Sequence, residues 1–109
     1  MTYNQTLAER IRSQLGSSDE IKEKKMFGGL GFIVNGNMAC GIIGDDLVVR
    51  IGPEHYTQAL SQPHTRPFDF SGKPMAGWIY VEPVGYEADR ELKNWIQQGM
   101  KFARSLPPK

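Results

Sequence analysis

Length, composition and charge limit what this chain can be. Its 109 residues, 39% hydrophobic and 23% charged, fit one domain that can bury a single core without a disulfide or a metal. A formal net charge of +1 gives no global attraction to nucleic acids or membranes. The single cysteine, Cys40, and the absence of an apolar run of about 20 residues predict a cytoplasmic protein that has no contact with a membrane.

A first helix is predicted between Thr2 and Gly16. Thr2 is a candidate N-cap because Gln5 follows three residues later, as in a capping box. Glycine at position 16 ends the apolar periodicity. The predicted buried face consists of Tyr3, Leu7, Ala8, Ile11 and Leu15.

The most unusual segment is residues 24–32, in which two lysines and an apolar pair precede three glycines within four residues. Ile21–Phe27 is predicted to be an edge strand whose lysines discourage unwanted pairing. The glycines predict a bend or a bulge in the sheet. A phosphate cradle formed with Lys24 or Lys25 is the alternative, but the spacing matches no phosphate-binding motif and strand residues follow.

Tight turns then organise an antiparallel meander. Asn35-Gly36-Asn37 predicts a hairpin between Gly31–Val34 and Met38–Ile43, because both Asn and Gly accept a positive φ. A second turn at Gly44-Asp45-Asp46 leads into a central strand, Leu47–Ile51.

The second half of the sequence alternates short elements. Gly52-Pro53 predicts the start of a short helix that Pro63 ends. Residues 62–66 are predicted to form a loop, and strands are predicted at Phe68–Phe70 and Trp78–Pro83. A last helix begins near Asp89, and its predicted apolar stripe is Leu92, Trp95, Ile96, Gly99, Phe102 and Ala103.

These elements predict a single two-layer α+β domain over residues 1–109, in the order α-β-β-β(β)-α-β-β-α, with a flexible tail at residues 105–109. The sheet is mainly antiparallel, with the helices on one face. Alternating aromatic residues could stack nucleic-acid bases on an open sheet face. Since the helices need an apolar face to pack against, we interpret these aromatic residues as core residues beneath the helices: Phe68, Phe70, Trp78 and Tyr80.

No catalytic, cofactor-binding or metal-binding constellation is predicted. Cys40 could act as a nucleophile only if His55 or His64 lay close in space, and its apolar neighbours indicate a buried cysteine instead. One cysteine and two histidines lack a standard ligand spacing. Asp45 and Asp46 fit turn chemistry. We therefore expect no enzymatic activity.

The segment from Lys24 to Gly31 resembles the N-terminal domain family of TfoX/Sxy, bacterial regulators of natural competence. The resemblance covers residues 20–104 and includes the Asn35-Gly36 hairpin and the Trp78-Ile79-Tyr80 strand. Its signature positions are Met26, Phe27, Gly28, Gly29, Gly31 and Trp95. The resemblance implies a fold similar to secretion-chaperone-like domains, and a stand-alone copy of a domain that the regulators combine with a C-terminal one.

The resemblance also implies a non-enzymatic role in transcriptional regulation through protein contact, with another protein or with a second copy as the partner. The candidate interaction surface consists of Lys24, Lys25, Arg50 and Lys73. Direct nucleic-acid binding through the same cations is the alternative. A thiol-dependent or small-ligand-binding enzyme is the third possibility.

Overall fold

The order of helices and strands matches the sequence prediction. The computed structural model describes residues 3–16, 20–26, 28–69, 72 and 75–108. The α+β prediction is confirmed, and one short helix, α3, is added to it. The elements are α1 (Gln5–Leu15), β1 (Ile21–Met26), β2 (Gly29–Val34), β3 (Asn37–Ile43), β4 (Asp46–Arg50), a 3-10 turn (Pro53–His55), α2 (Tyr56–Leu60), β5 (Thr65–Pro67), β6 (Trp78–Val81), α3 (Pro83–Tyr86) and α4 (Asp89–Ser105).

The sheet has six strands in the order β1-β2-β3-β4-β6-β5, and every pairing is antiparallel. β1 is an edge strand, as predicted. The prediction was wrong at β5, because Thr65–Pro67 pairs with β6 where a loop was expected. The strand therefore lies three residues earlier in the chain than the strand that was expected at Phe68–Phe70. Its pairing with β6, rather than a local alternation of side chains, determines its position. Phe70 lies outside the described residues.

Two tight hairpins fix the register of the first three strands. Asn35 and Gly36 have φ values of 52° and 85°, so the predicted Asn-Gly turn is confirmed. Gly28, with φ 75°, belongs to the turn that places Met26 opposite Gly29. The predicted bend of the glycine segment is therefore found as the turn of a hairpin. The register shift lies further along, between Phe32 and Ile33 in the pairing of β2 with β3.

Helices α1, α2 and α4 contribute side chains to one core on one face of the sheet. We call this face the helix face. α4 packs across β3 and β4. Its buried stripe matches the prediction except that Met100 is buried whereas Phe102 is only half-buried. The helix-face core includes Leu7, Ala8, Ile11, Leu30, Phe32, Val34, Cys40, Ile42, Leu47, Val49, Ile51, Ala59, Ile79, Val81, Leu92, Trp95, Ile96 and Ala103.

The first helix begins later than predicted. Asn4 is its N-cap, and the Asn4 side-chain oxygen accepts a hydrogen bond from the backbone N–H of Leu7 at 2.9 Å. Tyr3 forms a parallel bridge with Gly44, so the residue before the N-cap lies against the sheet. The predicted cap, Thr2, lies outside the described residues, while the predicted end at Gly16 is confirmed.

A second, smaller core covers the opposite side of the sheet, which we call the aromatic face. It contains Val48, Phe68 and Tyr80 with Trp78 packed against them. The ring centroid of Phe68 lies 5.0 Å from that of Tyr80. The prediction that these rings lie under the helices was wrong, because Ile79 and Val81 occupy the helix face and side chains alternate along β6.

A hydrogen bond attaches the segment after α4 to the sheet. The side-chain amide of Asn37 donates a hydrogen bond to the carbonyl of Pro107 at 3.0 Å. Asn37 is the buried polar residue of the described core, with 1% of its surface exposed. The predicted flexible tail is thus tied to β3 at Pro107, and Lys109 lies outside the described residues.

Candidate interaction surface

β1 forms a strand although four of its six residues are charged. Only its ends, Ile21 and Met26, are half-buried, and the four residues between them are exposed. Local propensity does not favour a strand here. Pairing with the buried strand β2 along the whole length of β1 determines its conformation, so the segment is both ordered and accessible.

The register separates the two lysines that were predicted to share a surface. Lys25 lies opposite Leu30, whose side chain is in the helix-face core. Lys24 lies opposite Gly31, the next residue along, and therefore projects from the aromatic face. By the same alternation Lys22 lies on the aromatic face with Lys24.

The one acid of β1 is neutralised by α1. Both carboxylate oxygens of Glu23 accept hydrogen bonds from the Arg12 guanidinium, each at 2.7 Å. These hydrogen bonds lower the pKa of Glu23 and raise that of Arg12. In the described part of the chain no ion pair involves Lys22, Lys24 or Lys25, so the strand carries uncompensated positive charge.

Arg50 does not join this surface. It ends β4, three strands from β1, or about 14 Å at an ordinary inter-strand spacing. Its guanidinium carbon lies 5.1 Å from the ring centroid of Trp78 and 5.3 Å from that of Phe102. Burial lowers the pKa of Arg50. Arg50 therefore connects the aromatic face to α4, while the fourth predicted cation, Lys73, lies outside the described residues.

The family-signature residues have structural positions. Met26 ends β1, and its sulfur covers Gly31 so closely that a Cβ there would lie 2.9 Å from it. Trp95 is buried in α4 and donates a hydrogen bond from its indole nitrogen to the carbonyl of Gly85 at 3.2 Å. Gly28 and Gly29 form the hairpin corner, and Phe27 lies outside the described residues.

The geometry around Cys40 does not favour nucleophilic chemistry. Cys40 is fully buried in the helix-face core, and this burial raises the pKa of its thiol to about 12. His55 and His64 are exposed. Among the described residues no group of three or more His, Cys, Asp or Glu side chains could hold a metal ion.

An ion pair on the aromatic face was not foreseen from the sequence. The Arg66 guanidinium donates to the Asp46 carboxylate at 2.7 Å and lies 4.2 Å from the ring centroid of Tyr80. Burial raises the pKa of Asp46, and the charge of Arg66 opposes this shift. Because Asp46 and Arg66 lie on strands that are not adjacent, no local spacing in the sequence indicates their contact.

A cleft of about 610 Å³ lies between the α2 region and the C-terminal half of α4. Ile51, Ala59 and Phe102 supply apolar surface, and Gln58 and Gln98 lie among the polar lining residues. Sequence reasoning missed this cleft because two distant segments form it. The charged lining residues Glu54 and Lys101 have opposite signs, so charge selects no particular class of ligand.

These features define a two-layer α+β domain with an exposed, basic edge strand. In the part of the chain that the structure describes, no helix has the length and apolar character needed to cross a membrane. The sequence matches the TfoX N-terminal domain family over residues 13–103, and the chain belongs to this family. No curated protein matches the sequence significantly.

Proposed function

We propose that this domain is a non-enzymatic, cytoplasmic regulatory domain that acts by protein–protein contact in the control of transcription. Membership of the TfoX N-terminal domain family supports a regulatory role. The observation that carries the mode of action is the exposed edge strand β1. β2 orders it on one side, and no other described strand pairs with it on the other.

An edge strand of this kind suits recognition of another polypeptide. Its unpaired N–H and C=O groups are the hydrogen-bonding partners that a second extended chain requires. Nucleic-acid affinity, by contrast, depends on several cations that face the phosphates together. Lys24 and Lys25 lie on opposite faces and Arg50 is inserted between two rings, so protein contact is the function that the geometry favours.

The proposal is tested by reversing the charge of β1 in cells and in lysates. A variant with Lys22→Glu, Lys24→Glu and Lys25→Glu is compared with the wild type and with Lys93→Glu, an exposed position on α4. We expect the wild type and the control to retain the same protein partner and the same transcript levels. The β1 variant should no longer bind this partner, and the transcript levels should change.

Two outcomes would contradict this function. If the triple variant retained every partner and left transcript levels unchanged, protein contact through β1 would have no support. If the wild type bound DNA or RNA in fluorescence anisotropy and only the triple variant lost that binding, the cations of β1 would serve nucleic acid instead.

A further inference from the structure

The side of β1 that faces away from β2 is accessible for pairing with another strand along the length of β1. Among the described elements only β2 pairs with β1, and it does so over all six residues of β1. The side chains at the centre of the strand are exposed. An extended chain can therefore reach this edge along its length.

We infer that β1 binds an acidic, extended segment of a partner protein, which adds to the sheet as a further antiparallel strand. This inference rests on the proposed function and names the chemistry of the partner. The adjoining pairs of the sheet are all antiparallel, and antiparallel pairing is slightly more stable per residue than parallel pairing.

Charge complementarity selects an acidic segment. Lys22 and Lys24 present cations on the aromatic face, and Lys25 presents one on the helix face. The intervening Glu23 already shares both carboxylate oxygens with Arg12. Directly opposed side chains in an antiparallel pair lie about 5 Å apart at Cβ, so acids opposite the three lysines form ion pairs while other charges repel.

The register predicts the pattern of the partner. Opposite β1, an antiparallel segment runs from Met26 back to Ile21, and both of these residues are half-buried and apolar. Read from its own N-terminus, the segment should therefore be apolar, acidic, acidic, neutral polar, acidic and apolar. The neutral position faces Glu23, and the acids face the lysines.

A second copy of the chain is a poor occupant of the same edge. A two-fold axis between antiparallel strands keeps both helical layers on one side of the joined sheet, so residues of the same face oppose each other. One such register sets Lys22 against Lys24 and Glu23 against itself. The next sets Lys24 against itself, and the Glu23–Lys25 pairs that it also forms involve a carboxylate that Arg12 already holds. Like charges directly opposed destabilise a strand pair, so self-pairing is disfavoured.

The experiment uses the hexapeptide Val-Glu-Glu-Thr-Glu-Val with blocked termini. The ¹⁵N-labelled protein is titrated with it at low salt, and amide chemical shifts locate the bound surface. We expect saturable shifts at β1 and β2 that weaken as salt is added. The reversed sequence Val-Glu-Thr-Glu-Glu-Val has the same composition but sets Glu against Glu23, so it should bind more weakly.

Variants of the protein test the charge pairing. Each opposed pair changes Kd by roughly 1.4-fold to 5-fold, so Lys22→Glu with Lys24→Glu and Lys25→Glu should together weaken binding by about 3-fold to 125-fold. A peptide with Lys in place of Glu should bind this variant better than it binds the wild type. Lys93→Glu is the matched control and should leave binding unchanged. Unchanged far-UV circular dichroism verifies that each variant is folded.

Backbone pairing is tested separately from charge. Methylating the peptide nitrogens at alternate positions blocks the hydrogen bonds of one peptide edge. We expect one of the two alternating sets to abolish binding and the other to be tolerated. Equal binding of both sets, equal binding of the two Glu peptides, or shifts away from β1 would overturn the inference.

Failure of strand addition by an acidic segment can be distinguished from failure of the proposed function. If the charge-reversed variant lost its partner in lysates but the wild type bound none of these peptides, protein contact would stand and strand addition by an acidic segment would be wrong. If the peptide bound as expected while transcripts and partners were unchanged, the edge would have the inferred chemistry and the regulatory role would be wrong.

Discussion

At the scale of single residues, the charge of β1 depends on a contact made outside the strand. Glu23 would offset one of its neighbouring lysines if it were free, but Arg12 of α1 holds its carboxylate in a two-point ion pair. The sequence indicates neither the pair nor its effect, because no local spacing relates Arg12 to Glu23. The positive charge of the candidate surface is thus a property of the folded chain.

The Arg12–Glu23 pair predicts a pH dependence of stability. The hydrogen bonds from Arg12 lower the pKa of Glu23 in the folded state below its ordinary value. The pair therefore contributes stability at pH values above the unfolded pKa, and this contribution is lost as the pH falls through the folded pKa. Because the pair is exposed, Arg12→Gln should lower the free energy of unfolding by only about 0.5 kcal/mol at neutral pH.

Urea unfolding at neutral pH and at about pH 3, where most carboxylates are protonated, measures this effect. The difference between Arg12→Gln and the wild type should shrink toward zero in acid. Arg90→Gln, at an exposed position in α4, is the control and should show no such convergence. A difference for Arg12→Gln that is the same at both pH values would mean that the ion pair does not stabilise the fold.

At the scale of elements, the β1–β2 hairpin depends on two glycines for different reasons. Gly28 has a positive φ of 75° and open space around its Cα, whereas a Cβ on Gly29 would lie 1.9 Å from the carbonyl oxygen of Ile42. The sequence predicts a special backbone in this segment. It does not distinguish a conformational requirement from a close approach, because the neighbouring strand β3 supplies the obstacle.

Substitutions separate these two requirements. Gly29→Ala should cost about 1–3 kcal/mol or more, since a backbone atom blocks the new methyl group. Gly28→Ala should cost about 1–2 kcal/mol through the left-handed conformation alone. Gly28→Asn should recover much of that loss, because Asn tolerates a positive φ. Urea unfolding measures all three variants, and an equal cost for Gly28→Asn and Gly29→Ala would contradict the assignment.

Elements defined by local chemistry were predictable, and elements defined by distant partners were not. The Asn35-Gly36 turn follows from local turn preferences. The start of α4 follows from the acidic residues of its first turn, Asp89 and Glu91. β5 has only three residues, and it is a strand because β6 pairs with it. β1 was predicted as an edge strand, but the sequence pattern did not indicate which lysine lies on which face.

At the scale of the whole molecule, one sheet carries a core on each face. The sequence predicts a single buried face because it contains enough amphipathic helices to cover only one. Phe68, whose side chain is 0% exposed, packs on the other face instead with Val48 and Tyr80. Arg50 spans the two layers, since its guanidinium contacts Trp78 on the aromatic face and Phe102 of α4.

The two tryptophans provide a test of whether these layers unfold together. Trp78 packs against the aromatic-face core and Trp95 lies in the helix-face core. Consecutive residues of β4 and β6 serve opposite faces, as Val48 and Val49 do, so neither core can be lost without disrupting the strands of the other. We therefore expect one cooperative transition.

Trp95→Phe leaves Trp78 as the single tryptophan, and Trp78→Phe leaves Trp95. In each variant, tryptophan fluorescence is compared with far-UV circular dichroism during urea unfolding. Within each variant the two signals should give the same midpoint, even though the variants differ in stability. Trp95→Phe loses the hydrogen bond to Gly85 and should have the lower midpoint of the two. If Trp78 fluorescence changed at lower urea than the circular dichroism, the aromatic face would open independently while the helix-face core stayed folded.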